Sequence, residues 1–576
     1  MDLVNIKIND KEYSVESGKT ILEAARKNGI IIPTLCFMKD INEIGACRIC
    51  VVEVKGKRNL ITSCTTPISE GMEIYTNSER VRKSRKATLE LLLSNHNADC
   101  LSCRKSGKCE LQRLAYQYDI DSKKYKGFKN VYEVDESSCA IVRDNSKCIL
   151  CNKCAAVCEK IQSVGVIGKN DRGFDAHVGC NFERKLKDTS CVSCGQCVLA
   201  CPTGALLEKS EIQNVEKALD NTELHVIGMT APAVRAALGE EFGYPIGTNV
   251  TGKMAAAIHK LGFGAAFDVN FAADLTIMEE GNEFIKRLTT KNSKLPMITS
   301  CCPAWVNFAE FYYPELLPHL STAKSPQNMF GAILKSYYAQ KNKIDPKNVY
   351  VVSIMPCIAK KDEKNNENKK EYKDVDAVLT TREFADLIKK RGIDFNKLED
   401  EEFDNPFGEG ASVIFGASGG VMEAALRTVK EVLDNTDLKD VDFKEVRGMS
   451  GVKEATYVID NKDINVAIVS GLKNIRPILE EIKEGKSKYH FIEVMSCPGG
   501  CINGAGQPYV TEDVKETIDY KAKRAKALYD ADKSEELRKA HRNPDIIKLY
   551  HEYLGKPCGT KSEDLLHREY ESKDVK

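Results

Sequence analysis

The sequence predicts a multi-domain α/β protein, with small cysteine-rich modules over residues 1–209 and a larger α/β domain over residues 210–576. Three observations carry this. At 576 residues, 42% hydrophobic and 29% charged, the chain is long enough for several folded domains and too apolar for disorder. Its 23 cysteines crowd before residue 202, and only six follow. After about residue 210, short apolar runs such as "LHVIGM", "VYVVSIM", "ASVIFG" and "NVAIVSG" alternate with helical stretches, the pattern of a layered α/β domain.

Charge and hydropathy exclude two classes. Lys+Arg 84 balances Asp+Glu 84, so no global field attracts nucleic acid or an anionic membrane. The longest apolar runs fall short of the roughly 18 residues of a spanning helix. The opening "MDLVNIKINDKEYSVE" alternates as a strand does and lacks a basic segment followed by an apolar one. The expectation is a cytoplasmic protein without a membrane or nucleic-acid partner. In that reduced setting a high cysteine density argues for metal over disulfides.

Residues 1–79 read as a small sheet with one helix. "VNIKIN" and "KEYSVE" flank an Asn-Asp-Lys turn, Thr20 is a candidate N-cap for "ILEAARKNG", and Gly29 a candidate stop. This resembles the β-grasp of plant-type ferredoxins. Cys36, Cys47, Cys50 and Cys64 follow C-x10-C-x2-C-x13-C, a wider loop that is similar to the [2Fe-2S] modules of respiratory dehydrogenase subunits and some hydrogenases. Gly45 would let backbone amides approach the cluster sulfurs.

Residues 80–126 hold "HNADCLSCRKSGKC", which offers His96, Cys100, Cys103 and Cys109 as ligands of a [4Fe-4S] cluster. The alternative is three cysteines beside a bystander histidine. Residues 127–209 carry two C-x2-C-x2-C-x3-C runs, as in two-cluster ferredoxins, where the fourth cysteine of each run ligates the other cluster. One [4Fe-4S] set is then Cys148, Cys151, Cys154 and Cys201, and the other Cys191, Cys194, Cys197 and Cys158. Zinc is the rival for paired C-x2-C, and two complete four-cysteine runs argue against it. Glu159 departs from the proline that usually follows the fourth cysteine.

In residues 210–576 the later cysteines, apart from Cys558, lie in "TSCCPAW", "MPCIAKK" and "EVMSCPGGCINGAGQP", loops that follow strands or carry Gly and Pro. Cys301 and Cys302 are adjacent. With these three motifs the chain resembles, over essentially its whole length, an [FeFe]-hydrogenase of the monomeric clostridial type with four accessory clusters. The resemblance implies a catalytic H-cluster: a [4Fe-4S] cubane on Cys302, Cys357, Cys497 and Cys501, bridged through Cys501 to a di-iron subsite with CO, cyanide and azadithiolate. It implies Lys360, Gln327, Ala231 and Pro232 around that subsite; Met355 and Met495, just ahead of ligating cysteines, offer polarizable packing beside it, with plain core methionine the alternative. Many relatives carry histidine at the position of Pro498.

The resemblance also implies a proton route of Cys301, Glu280, Ser321, Glu283 and Arg287. Cys301 is not needed as a ligand, and a thiol with a reference pKa of about 8.5 can carry a proton. Glu280 and Glu283, three apart, share one helix face with Arg287; an exposed salt-bridged face is the plain alternative. This chain has one more residue between the glutamates and Cys301 than such relatives.

The implied function is reversible reduction of protons to H2 with electrons from ferredoxin or a similar carrier. The implied cofactors are one [2Fe-2S] cluster, three accessory [4Fe-4S] clusters and the H-cluster, with maturation proteins supplying the di-iron subsite. Rival readings are a non-catalytic electron-transfer subunit of an NADH-dehydrogenase-like complex, an iron-sulfur assembly factor and a sensory homologue. The first leaves the three C-terminal motifs unused, assembly factors lack the β-grasp and His-ligated modules, and sensors typically replace Cys301. "FGASGGVMEAAL" lacks G-x-G-x-x-G and reads as a tight turn. Cys139, Cys180 and Cys558 fit no ligand set. "DEKNNENKKEYKD" reads as a solvated loop, and "RVRKSRK" as a basic patch for an acidic ferredoxin.

Overall fold

The computed structural model describes residues 2–121, 124–125, 127–365, 372–405, 407 and 410–575. The chain divides into two units. The first comprises residues 1–189, 196–208 and 509–519; the second comprises 190–195, 209–508 and 520–576.

In the first unit, strands Leu3–Ile8 and Lys11–Glu16 pair antiparallel across Asn9 and Asp10, both at positive φ, as a two-residue hairpin requires. A five-stranded sheet is completed by Glu73–Tyr75, Val51–Val54 and Ile61–Thr62. Ile6, Ile8, Val15, Val52 and Ile74 point into one core, as period-two alternation demands. Helix Ile21–Lys27 packs on it, and its start is fixed by a capping box: Thr20 accepts from Glu23 N, and Glu23 accepts from Thr20 N. Gly29 follows at φ +73°.

Helix Glu79–Asn95 delivers His96 at its C-cap. Arg85, within the basic patch, turns inward to donate to the carbonyls of Ile49 and Val51, so the patch is less basic than expected. Helices Lys153–Lys160 and Gln196–Ala200 and two antiparallel ribbons, Ile141–Arg143 with Leu206–Glu208 and Ile167–Asn170 with His177–Cys180, frame the cysteine runs.

The second unit is built on two sheets. One is all parallel, in the order Ala265–Asp268, His225–Thr230, Val349–Met355, Ala377–Thr380. The other runs Met297–Ile298, Phe491–Met495, Lys462–Ser470, Val452–Ile459, with only the last strand antiparallel. The central strands are buried along nearly their whole length, as parallel strands covered on both faces must be.

Two expectations fail here. "ASVIFG" is a buried 3-10 turn, Val413–Gly416. Its preceding polar groups, Ala411 N and Ser412 Oγ, are taken by the Asp274 carboxylate, so no neighbouring strand is needed. The stretch "DEKNNENKKEYKD" is not simply solvated: Glu363, Lys364 and Asp374 are buried, with Lys364 on Glu211 at 2.6 Å and Asp374 on Lys324 at 2.7 Å. Its residues 366–371 lie outside the described residues. The glycine-rich turn at Gly419 opens helix Gly420–Asp434, and the Glu493 carboxylate accepts from Gly419 N and Met422 N. That helix start is therefore filled by a side chain and leaves no seat for a phosphate. Among the described residues no helix is long and apolar enough to cross a membrane.

Candidate active site and cluster-binding positions

Four parallel strands of the second unit end at one cavity. His225–Thr230 runs into Ala231 and Pro232, Met297–Ile298 leads to Cys301 and Cys302, Val349–Met355 to Cys357, and Phe491–Met495 to Cys497. The carboxyl ends of parallel strands are where α/β sheets form their sites. The cavity is lined by Ala231, Pro232, Cys301, Cys302, Gln327, Met355, Cys357, Lys360, Met495, Cys497 and Cys501. Residues some 270 positions apart in sequence thus meet at one place. Gly499 and Gly500, at φ +86° and +95°, turn the chain between the last two cysteines. A Cβ on Gly500 would sit 2.5 Å from Ser418 N, so glycine is required by space as well as by φ.

Cys301, Cys302, Cys357 and Cys497 are 9% exposed or less, and Cys501 is half-buried. Burial, then the charges of Cys357, Cys302 and Cys501, push the Cys497 thiol well above its ordinary range; burial and Cys302 push Cys357 up to about 12. Thiols that raise one another's pKa in this way do not all ionise without a cation among them. Such a donor set fits a thiolate-held iron-sulfur cluster. Gln327 Oε1 is buried without a hydrogen-bond partner, as a group awaiting a ligand would be.

Lys360 donates to the Cys301 carbonyl at 3.1 Å and to Glu363 Oε2 at 2.7 Å. Burial alone lowers its pKa, but Glu363, Cys357 and Cys301 outweigh that and hold the ammonium charged. Glu363 also accepts from Gln327 Nε2 at 3.1 Å, so one carboxylate positions two cavity side chains. Sequence reasoning missed Glu363, although its i,i+3 spacing from Lys360 was a visible signal. It missed Ser496 too, whose N–H donates to Cys302 Sγ at 3.4 Å.

On helix Asn270–Thr289 and its neighbours, Glu280, Ser321, Glu283 and Arg287 of the implied proton route are joined by hydrogen bonds, and Cys301 lies near their inner end. Glu280 lies near enough to Cys301 for its charge to raise the thiol's pKa, after the larger effect of burial. Burial, then Glu283, push Glu280 up to about 8, and Ser321 hydrogen-bonds it. Ser321 Oγ donates to Glu283 Oε2 at 2.8 Å, and Arg287 donates to Glu283 Oε1 at 2.6 Å. Glu280 and Glu283 are 1% and 8% exposed, which rules out a solvated helix face. Glu283, Arg287 and Thr322 line a wide cavity.

In the first unit, Cys36, Cys47, Cys50 and Cys64 are buried together: Cys47 N donates to Cys36 Sγ at 3.4 Å, and the Cys50 and Cys64 sulfurs are 3.2 Å apart. Contact with Cys64 lowers the pKa of Cys50 and contact with Cys36 lowers that of Cys47, while Cys36 and Cys64 are raised in exchange. Gly45 has φ +59°. Burial pulls His96 down to about 4, so the imidazole is neutral, and its Nδ1 is buried without a hydrogen-bond partner. Cys100, Cys103 and Cys109 are half-buried.

A second, small cavity is lined by Cys148, Cys151, Cys154 and Cys201, three cysteines from one run and the last from the other. Two contacts converge on it. Asn42 Nδ2 donates to the carbonyls of both Cys36 and Cys151, at 2.7 and 2.9 Å. Gly204, in the loop after Cys201, packs so closely on Cys103 that a Cβ would be 2.7 Å from its sulfur. Cys158 and Cys197 lie in the first unit, Cys191 and Cys194 in the second, where Cys194 is near enough to Cys497 to raise its pKa.

Family models match in succession along the chain. A 2Fe-2S iron-sulfur cluster binding domain covers residues 1–79, an NADH-ubiquinone oxidoreductase-G iron-sulfur binding region 85–124, and a 4Fe-4S dicluster domain 147–205. The C-terminal domain of the iron only hydrogenase large subunit matches residues 224–505, and the iron hydrogenase small subunit 518–573. Iron hydrogenase 1 of Clostridium pasteurianum is 44% identical, over 98% of this chain and 99% of its own. The chain belongs to the [FeFe]-hydrogenase family. A second hydrogenase relative, the NADP-reducing hydrogenase subunit HndD of Solidesulfovibrio fructosivorans, is 49% identical over 99% of both chains. Among solved structures, a variant of the [FeFe]-hydrogenase HydA1 of Chlamydomonas reinhardtii is 38% identical with a TM-score of 0.57, covering 63% of this chain and 99% of that one. This hydrogenase-family chain thus carries 2Fe-2S and 4Fe-4S cluster domains ahead of an H-cluster domain.

Proposed function

We propose that the chain catalyses the reversible reduction of protons to H2 at an H-cluster held by Cys302, Cys357, Cys497 and Cys501. The observation that carries this is the convergence of those four thiols, with Lys360 and Gln327, on one buried cavity that the Cys301–Glu280–Ser321–Glu283 chain reaches from the side. When bound, the H-cluster supplies the metal centre at which electrons and protons combine. The chain's own residues do the rest. Cys301 Sγ carries a proton at the cavity wall, and Glu280, kept protonated at neutral pH by burial, exchanges it. Ser321 Oγ and Glu283 pass it to Arg287 and the outer cavity. Lys360 places a fixed positive charge against anionic ligands, and the apolar walls, including Met355 and Met495, exclude water.

Electrons reach that cavity through accessory clusters: a [2Fe-2S] in residues 1–79, a His96-ligated [4Fe-4S] in 80–126, and two [4Fe-4S] clusters in 127–209, the catalytic domain being 210–576. The contacts of Asn42 and Gly204 support two paths merging at the Cys148, Cys151, Cys154 and Cys201 site. The set of Cys191, Cys194, Cys197 and Cys158 rests on spacing. Ferredoxin is the proposed carrier. A second reading, that electrons pass through another subunit of an NADP-reducing complex, is favoured by the 49% identity to such a subunit. Stopped-flow reduction of the matured protein by ferredoxin separates them: cluster bleaching within turnover time supports ferredoxin, and its failure while viologen still drives H2 evolution supports the second reading.

A further inference from the structure

Cys558 belongs to none of the cluster ligand sets, and its φ of +49° is a left-handed backbone that a non-glycine residue keeps only where its surroundings hold it. Glu279, beside Glu280 on the same helix, does the holding. Glu279 Oε2 accepts from Cys558 N at 2.7 Å, and Cys558 Sγ donates to the Glu279 carbonyl at 3.4 Å. His567 Nε2 lies 3.0 Å from the same Oε2. A sulfur, an imidazole nitrogen and a carboxylate oxygen therefore meet within 4.8 Å of one another. Glu279 is fully buried, while Cys558 and His567 line the wide cavity at the outer end of the proton route.

We propose that Glu279, Cys558 and His567 bind a divalent transition-metal ion of the zinc class. Mixed sulfur, nitrogen and oxygen donors suit such a borderline-soft ion, whereas magnesium and calcium take oxygen alone. The surrounding contacts orient each ligand as outer partners of a metal site do. Tyr550 donates to Glu279 Oε1, which leaves Oε2 facing the other two donors. Thr322 Oγ1 lies 2.7 Å from His567 Nδ1, which leaves Nε2 for the ion. With the Thr322 hydroxyl turned towards Glu283, Nδ1 keeps the proton and Nε2 presents a lone pair to a carboxylate, an arrangement that a cation between them stabilises. A plain Glu–His pair explains two of these groups but gives no reason for a thiol held beside them on a strained backbone. Cys558 and His567 both line the cavity, so water could reach an ion that they and Glu279 would hold.

The site is tied to Glu283. Thr322 donates to Glu283 Oε2 through its N–H at 3.0 Å and its hydroxyl at 3.4 Å, so a metal that fixes His567 also fixes a donor that Glu283 uses. This link rests on the proton-route reading, whereas the site itself does not.

The test uses matured holoenzyme dialysed against chelator-buffered Zn2+, with bound zinc measured by mass spectrometry, beside Cys558→Ser and His567→Gln. One zinc per chain is expected, bound at least tenfold more weakly by either variant, and zinc-edge X-ray absorption should show one sulfur at about 2.3 Å. Infrared CO and cyanide bands in the variants exclude unfolding as the cause; if a variant loses them, the wild-type zinc-edge spectrum decides. Zinc held equally by the variants, or a sulfur-free shell, overturns the site. Zinc should slow viologen-driven H2 evolution in wild type more than in Cys558→Ser. Zinc bound with unaltered turnover overturns the link to Glu283 alone.

Discussion

Replacing Cys301 by alanine separates a proton carrier from a space-filling side chain. Its structural contribution is small. Lys360 binds the Cys301 carbonyl, which alanine keeps, and only one buried heavy atom is lost, worth about 1 kcal/mol by the cost of a buried methylene-sized group. The chemical contribution is larger: a positioned acid or base contributes typically 10²–10⁴-fold, or about 3 to 5 kcal/mol of barrier. Cys302, the adjacent residue, keeps its Ser496 contact, so the cluster and its CO and cyanide bands should remain. The assay is H2 evolution from reduced viologen, normalised to those bands, with H2 oxidation run beside it. Both directions should fall by at least 10²-fold in Cys301→Ala and Cys301→Ser, and Cys301→Asp, which restores a titratable group, should recover part of the rate. Near-normal turnover in a fully loaded Cys301→Ala protein would refute the relay.

His96→Cys should keep a cubane but lower its potential, because a thiolate replaces a neutral imidazole; unchanged paramagnetic resonance signals and potentials for every cluster would remove His96 from the ligand set. Glu280 should show a protonated carboxyl stretch in infrared difference spectra that titrates near pH 8 and is absent in Glu280→Gln, with H2 evolution falling as pH rises through that value and Glu280 loses its proton. A carboxyl already ionised at pH 6 would contradict this. Glu363→Ala takes from buried Lys360 its only carboxylate partner among the described residues before the di-iron subsite is installed, so the stability of the unmatured protein should drop by about 3 to 5 kcal/mol, and the CO and cyanide bands after maturation should shift or vanish. Unchanged bands and melting temperature would show that Glu363 positions nothing.

The cysteine runs, the hairpin at Asn9 and Asp10, the Thr20 cap and the shared face of Glu280 and Glu283 were legible because each is a local pattern whose spacing carries its geometry. What was not legible depended on distant partners. "ASVIFG" has strand composition, yet Asp274, about 140 residues earlier, takes its backbone and hydroxyl donors and makes a turn of it. Glu363 sits in a stretch of charges that looks solvated, and only the fold shows Lys360 and Gln327 closing on it. Arg85 lies in a basic run but spends its charge on two buried carbonyls. Cys558 carries no motif, and its neighbours come from a helix some 280 residues away. The merging contacts of Asn42 and Gly204 were equally invisible, since spacing within a module says nothing of which module it meets.

The central claim is that Cys302, Cys357, Cys497 and Cys501 hold a catalytic H-cluster. Infrared spectroscopy of the purified protein after maturation, with Cys302→Ala alongside, tests it most directly. Bands of metal-bound CO and cyanide should accompany H2 turnover in the wild-type chain and disappear together with it in the variant; a properly matured wild-type protein without those bands, or a variant that keeps both bands and turnover, would contradict it.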